Sequence, residues 1–281
     1  MTGAFAPRSL KEALEIRAAH PEATPVAGGT DLMVEVNSGR LRPAALLDLS
    51  RVDELKTWWR DGGVVHVGAG MTFARIAREL GEFRPLVEAA RSVGSAQIRN
   101  RATVGGNLGT ASPAGDSIPV LAAYGADVVV AAPGRTRRVP WSQFFKGPKQ
   151  TALAPDELIV GVEWRPVAGP GSFAKVGVRN AMVIAVAGVC LQLDEGRHAV
   201  RLALGSVGPT VLRARRAEAF AASLDWDDRD PRAMTELGRL AAAEARPIDD
   251  SRGSAAYRRH AVNVLARRAF TWALAYRRAA A

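Results

Sequence analysis

A chain of 281 residues has room for two domains of ordinary size, and its 48% hydrophobic and 23% charged side chains are those of a folded globular protein, not of a disordered one. One cysteine, Cys190, excludes an internal disulfide or a self-contained thiolate cluster, and the four histidines, His20, His66, His198 and His260, have no metal-ligand spacing. The formal charge of +10 is concentrated late in the chain, with 19 basic and 11 acidic residues over 165–281 against 19 and 17 over 1–164, a bias that suits nucleic acid, membrane or an acidic protein partner.

The opening segment MTGAFAPRSLKEALEI is broken by Pro7, Lys11 and Glu12, so no export signal is expected there. The longest apolar run, AMVIAVAGVCLQL at 181–193, falls short of the roughly 18 residues of a membrane helix. A cytoplasmic protein without membrane insertion is the expectation. Ser9 and Glu12 stand at capping-box spacing before Leu14 and Ile16 and predict a first helix. TPVAGGTDLMVEV then reads as a strand, a glycine turn and a helix starting near Asp31. Strands follow at 46–50 and 63–70, with helices at 72–80 and about 85–93. RNRATVGGNLGTASPAGDSIP at 99–119 reads as a glycine-rich loop, followed by a helix near PVLAAYG and strands in ADVVVAAPG and at 158–164.

Two prolines and two glycines in RPVAGPGS, residues 165–172, mark a domain boundary. Beyond it FAKVGVR, VIAVAGVCLQL and AVRLALGSVG predict consecutive strands, and three helical stretches complete an antiparallel sheet backed by helices. Val262, Leu265, Ala269, Trp272 and Tyr276 form a stripe on the last helix and are expected to be its core face. The arginine pairs at 258/259, 267/268 and 277/278 point in different directions at about 100° per residue, which argues against a nucleic-acid stripe.

Two glycine turns carry the chemical signal. AGGTD at 27–31 and TVGGN at 103–107 each place paired glycines where free backbone amides could meet an anion, and together they could hold a diphosphate from two sides. A tight turn alone explains either pair taken singly. No GxxxxGK[ST] is present, and GAG at 68–70 lacks the last glycine of a Rossmann fingerprint, so phosphate binding here needs another architecture.

With these turns in order, the chain resembles the FAD-binding medium subunits of molybdenum hydroxylases, the xanthine dehydrogenase and carbon monoxide dehydrogenase group. The resemblance rests on AGGTDL at 27–32, VGAGMTFARI at 67–76, QIRNRATVGGNLGTASPAGDSIP at 97–119, PDELIVGVEW at 155–164 and FAKVGVRNAMVIAVAGV at 173–189. It implies an α+β fold: a two-lobed FAD-binding domain of the PCMH type over 1–168, with lobes at about 1–55 and 56–168, then a C-terminal α+β domain over 169–281 with a small antiparallel sheet packed on helices. It further implies that Val26, Ala27, Gly28, Gly29, Thr30, Asp31 and Leu32, with Thr103, Val104, Gly105, Gly106 and Asn107, bind the flavin diphosphate and ribityl chain mainly through backbone donors. Asp116 would accept from a ribityl hydroxyl, Val93 and Leu158 would touch the flavin, and Lys175 would reach its edge, where a cation stabilises negative charge on the reduced ring. Without the resemblance, Leu158 reads as strand core, Lys175 as an exposed lysine, Asp31 as a helix cap and Asp116 as a turn residue.

Two features qualify the match. Some relatives place a tyrosine near the flavin in the segment corresponding to 173–175, where this chain has Phe173; and Cys190, standing alone, excludes the branch with an extra cysteine-bearing insert for an iron-sulfur cluster. FFKGPKQTALAPDELIV at 144–160 and LALGSVGPTVLRA at 202–214 resemble bacterial xanthine dehydrogenase FAD-binding subunits most. The implied function is an electron outlet: FAD takes electrons from [2Fe-2S] clusters of a small partner subunit, a large subunit holds the molybdopterin cofactor, and NAD or another acceptor receives the pair. Other readings are the FAD subunit of a carbon monoxide, aldehyde or N-heterocycle dehydrogenase, a stand-alone FAD oxidoreductase, and an interaction subunit without flavin.

Overall fold

The computed structural model describes residues 3–228 and 230–280, which divide into two compact units, each discontinuous in sequence. The first takes the chain up to Arg75, Ala96–Ala111 and Ala126–Arg165; the second takes Ile76–Ser95, Ser112–Gly125 and the chain from Pro166 onward. In chain order the elements begin with β1 (Gly3–Phe5), α1 (Leu10–Ala19), β2 (Ala23–Val26), α2 (Leu32–Asn37), β3 (Ala45–Asp48), β4 (Trp58–Asp61) and β5 (Val64–Gly68). Five helices follow, α3 (Phe73–Glu79), α4 (Arg84–Ser92), α5 (Ala96–Arg101), α6 (Val104–Thr110) and α7 (Ser117–Tyr124). Next come β6 (Asp127–Ala132), β7 (Arg135–Pro140), α8 (Trp141–Phe144), β8 (Phe145–Gly147), β9 (Gln150–Thr151) and β10 (Leu158–Trp164). The remainder is β11 (Gly171–Val176), β12 (Ala187–Asp194), β13 (Ala199–Gly205), β14 (Leu212–Arg213), α9 (Arg215–Ala222), α10 (Pro231–Glu244) and α11 (Ala255–Ala280).

In the first unit α1 starts as its sequence predicts. Ser9 Oγ accepts the Glu12 amide at 3.2 Å, and the Glu12 carboxylate accepts the Arg8 amide at 2.8 Å, so amides left over at the helix start are satisfied. Strands β1, β3 and β2 form a parallel sheet in that order, with Val26 opposite Asp48 at the end of β2. A separate antiparallel sheet runs β4-β5-β10-β6-β7. Its middle strands, LIVGVEW in β10 and DVVVAA in β6, are largely buried, which is why they read as continuous apolar runs without alternation. Gly161 lies at a register shift in β10, where a Cβ would stand 2.6 Å from the His66 ring, and that ring stacks on Trp59 at 4.8 Å.

The second unit is built on the antiparallel sheet β11-β12-β13-β14. Every residue of β12 is buried, so both faces of that strand are covered. Val189, Leu191 and Leu193 alternate toward one face and pack with Val200, Leu202 and Leu204 of β13 against α9, α10 and α11. Helices α4 and α7, drawn from the middle of the chain, also pack on this sheet: a Cβ on Gly171 would stand 2.8 Å from Pro85, and one on Gly205 would stand 3.1 Å from Pro119. Cys190 is fully buried, and burial pushes its thiol well above the ordinary range, as suits a core residue.

Two expectations are corrected. The 99–119 segment is not one glycine-rich loop: α5 ends in it, α6 follows directly, and α7 begins at its end. Thr103 caps α6, with its Oγ1 accepting the Gly106 amide at 3.0 Å, and this cap together with packing outweighs the poor helix propensity of Gly105 and Gly106. The core face of α11 is also rotated from the expected stripe. Val262, Leu265 and Ala269 are buried, but Phe270, Ala273 and Leu274 complete the face, while Trp272 is 40% exposed and Tyr276 lies under the Arg84 guanidinium at 4.0 Å. Phe270→Ala is therefore expected to cost about 3–5 kcal/mol in urea unfolding, whereas Trp272→Ala should stay within about 0.5 kcal/mol of the parent. Equal losses would contradict this orientation of α11.

Candidate functional site

In the first unit the first glycine turn lies against the residues that flank the second glycine motif. Strand β2 ends at Val26, whose carbonyl accepts the Leu49 amide at 2.8 Å, and the chain then turns through Ala27–Asp31 into α2. A Cβ on Gly28 would stand 2.0 Å from the Arg101 carbonyl oxygen, so only glycine lets the turn lie against the end of α5. Arg101 Nε reaches back toward the Gly28 carbonyl at 3.4 Å, and the Thr110 hydroxyl donates to the Asp31 carboxylate at 3.2 Å. Gly29 has φ +71°, a second reason for glycine. Asp31 stands at the N-cap position of α2 but makes no capping bond, since its carboxylate is turned to Thr110.

The amides of the two motifs differ in availability. Among the described residues, those of Ala27, Gly28, Gly29, Thr30, Asp31 and Leu32 donate to no protein acceptor, which leaves a continuous run of donors around one turn. On the other side Val104 donates to Met71 at 3.1 Å, Gly105 to Ala69 at 2.9 Å, Gly106 to Thr103 Oγ1 at 3.0 Å, and Asn107 to the Thr103 carbonyl at 3.0 Å. Gly105 is required by contact, because a Cβ there would stand 2.6 Å from that of Ala69. At Gly106 a Cβ would meet only Thr103 Oγ1, at 3.1 Å, so of the four paired glycines it is the one the fold constrains least. Leu158, the first residue of β10, is 2% exposed and pairs with Ala131 in the sheet.

The second unit brings Asp116, Lys175 and Val93 into one neighbourhood. Lys175 Nζ, projecting from β11, donates to Asp116 Oδ2 at 2.6 Å and to the Ser92 carbonyl at 3.1 Å, while the Ser92 hydroxyl lies 3.0 Å from the same Asp116 oxygen. Val93 follows Ser92 at the C-terminal cap of α4. Both charged side chains are withdrawn from water, at 9% and 7% exposure, so neither the exposed lysine nor the simple turn aspartate of the plain reading describes them. Burial raises the Asp116 carboxyl above its ordinary value, with Lys175 and Ser92 opposing it. The second carboxylate oxygen, Oδ1, is buried and has no hydrogen-bond partner. A buried acceptor left open in this way is uncommon in folded proteins and suits a donor from a bound molecule. Ser92 carries no motif that sequence reading could have found, whereas Arg101 and Thr110 lie inside the quoted glycine-rich block.

Residues 1–164 match the FAD binding domain in molybdopterin dehydrogenase, and residues 173–273 match the CO dehydrogenase flavoprotein C-terminal domain. The chain belongs to this family. It is thus an FAD-dependent oxidoreductase subunit. It is 33% identical over 228 residues to the nicotinate dehydrogenase FAD-subunit of Eubacterium barkeri, covering 76% of this chain and 77% of that one. It is 31% identical over 268 residues to the glyceraldehyde dehydrogenase medium chain of Sulfolobus acidocaldarius, covering 93% and 94%. Among solved structures, a chain of the carbon monoxide dehydrogenase from Hydrogenophaga pseudoflava superposes with a TM-score of 0.89 at 28% identity, covering 97% of each chain. Among the described residues, no helix is long and apolar enough to cross a membrane, and no group of three or more His, Cys, Asp or Glu side chains could hold a metal ion.

The Asp116–Lys175 pair makes a pH-dependent prediction. A carboxyl raised in the fold keeps its proton where the unfolded chain has lost it, so stability falls as pH rises from the ordinary carboxylate range through the raised value. Lys175→Met removes the opposing cation and should widen that window. Its expected cost is about 3–5 kcal/mol near neutral pH, shrinking in mild acid where Asp116 is protonated. Urea unfolding at the two pH values measures this, and a loss independent of pH would contradict the pairing.

Proposed function

We propose that this chain is the FAD-binding electron-transfer subunit of a heterotrimeric molybdenum hydroxylase, with a large molybdopterin-binding subunit and a small [2Fe-2S] subunit as partners. The observation that carries the reading is the run of unpartnered amides at Ala27–Leu32, held by Gly28 against Arg101 and by Asp31 against Thr110, on either side of the second glycine motif. The residues present fit FAD. Consecutive free amides in a glycine turn suit a diphosphate, and the orphaned Asp116 oxygen suits a ribityl hydroxyl. On this reading residues 1–168 are the FAD-binding domain and residues 169–281 the C-terminal domain.

FAD, when bound, supplies the redox chemistry, accepting electrons from the clusters and passing them to NAD or another acceptor. The chain's own residues bind and orient it. Val26, Ala27, Gly28, Gly29, Thr30, Asp31 and Leu32 line the diphosphate. Gly105 holds α6 against Ala69, and Gly106 keeps the start of that helix free of a side chain, while Thr103, Val104 and Asn107 set its geometry through their internal hydrogen bonds. Leu158 gives an apolar contact from β10. In the second unit the same assignment gives Asp116 the ribityl hydroxyl and Val93 an apolar contact. Lys175, fixed by Asp116 and the Ser92 carbonyl, gives a cation with little freedom to move. Preorganised charge of this kind stabilises negative charge without reorganising when it develops.

The substrate reading is a purine, taken from the xanthine dehydrogenase resemblance of 144–160 and 202–214. Substrate oxidation belongs to the molybdopterin subunit, so this chain's residues set the fate of the electrons and not the choice of substrate. Gly106→Leu tests the cofactor assignment. Leucine's gain in helix propensity over glycine, most of ~1 kcal/mol, works against the 3.1 Å approach to the capping Thr103 Oγ1, so the fold should persist with a melting transition little changed while the purified chain loses its flavin absorbance. A Gly106→Leu protein with a full complement of FAD would contradict the role given to this helix start. Gly28→Leu cannot make the same test, because it would also break the contact with Arg101.

A further inference from the structure

Helices α10 and α11 cross closely at Gly238, where a Cβ would stand 2.7 Å from the Asn263 carbonyl oxygen and 2.8 Å from the Arg267 side chain. Beside this crossing the two helices leave an open groove of about 470 Å³. Met234 and Val264 contribute its apolar lining, and Arg267, Arg268 and Trp272 line it from α11. All of these belong to the second unit, and none is assigned to the cofactor.

The charge of this groove is one-sided. Helix α11 has 26 residues, AAYRRHAVNVLARRAFTWALAYRRAA, and not one is acidic. Among the described residues, Arg258 is spent on Asp250 and Arg277 on Asp227, but neither Arg267 nor Arg268 meets a carboxylate. The acids of the facing helix are committed elsewhere: Glu236 pairs with Arg239, Glu244 accepts the Arg216 and Ala217 amides at the start of α9, and Asp230 accepts the Arg232 amide at the start of α10. A partly exposed tryptophan beside two arginines that meet no carboxylate, over an apolar floor, has the composition of an interface hot spot. It lies where the chain's basic surplus is concentrated.

We infer that the α10–α11 groove docks a segment of a partner subunit that carries an apolar anchor flanked by carboxylates. The anchor packs on Trp272, Met234 and Val264, and the carboxylates pair with Arg267 and Arg268. This rests on the reading of the chain as one subunit of a larger enzyme.

The test is association of the flavin-loaded chain with the two partner subunits isolated from the native complex, measured at low and at raised salt. Arg268→Glu should weaken association at least tenfold and flatten its salt dependence, with flavin content and melting temperature unchanged. Trp272→Ala should also weaken it tenfold, without altering the salt dependence. Arg259→Glu, exposed on the same helix outside the groove, is the control and should bind as the parent does. Parent-like association of both groove variants overturns the inference and leaves the electron-transfer reading standing. A flavin-free parent chain that binds neither subunit overturns both. Variants that alter only self-association of the isolated chain also overturn it, since the groove is then an interface between copies.

Discussion

The first unit depends on one close approach of backbone to backbone. Gly28 lies so near the Arg101 carbonyl that a single methyl group would stand 2.0 Å from its oxygen, and these residues are 73 positions apart in the chain. No flexible side chain can yield there, because the obstacle is main chain. This contact sets the β2–α2 turn against the end of α5, and the Asp31–Thr110 bond repeats the tie at the far end of α6. Amides that a helix or sheet would ordinarily consume are left open around the turn, and such groups are costly to bury without a partner.

The second unit stores its constraint electrostatically. Lys175 and Asp116 are each withdrawn from water, and their attraction has to offset the desolvation of both. Ser92 and the Ser92 carbonyl fix the pair, yet one Asp116 oxygen stays without a partner. A purely structural ion pair gains nothing from that open acceptor. On the proposed reading the unsatisfied oxygen belongs to a ligand hydroxyl, and the rigid lysine beside it supplies charge compensation without a change of shape.

Much of this was legible in the sequence, for local reasons. The Ser9–Glu12 cap, the apolar runs of β6 and β10, and the paired glycines are short-range signals, and the ordered motifs around them pointed to the family. The less legible parts are long-range. Nothing in Gly105 announces that Ala69 occupies the space of its side chain, so a helix start looked like a loop. The rotation of α11 places Phe270 inward and Trp272 outward because the face is set by how α11 meets β11, β12 and α10, which spacing along one helix does not specify. Nor could composition predict that α4 and α7 would cover the C-terminal sheet, or that Ser92 would join Asp116 and Lys175.

The division of labour follows from what each part holds. Cys190 is buried in the core, and on the proposed reading the metal centres belong to the partner subunits. The chain's own share is an open run of amides, a buried cation and two arginines on the last helix that meet no carboxylate among the described residues. The most direct measurement is purification of the native protein under its own promoter, with absorption spectrum, metal analysis and subunit composition taken on the same peak. The account predicts flavin, iron and molybdenum eluting together with two further polypeptides. A flavin-free chain eluting alone, which still fails to take up added FAD, would contradict it.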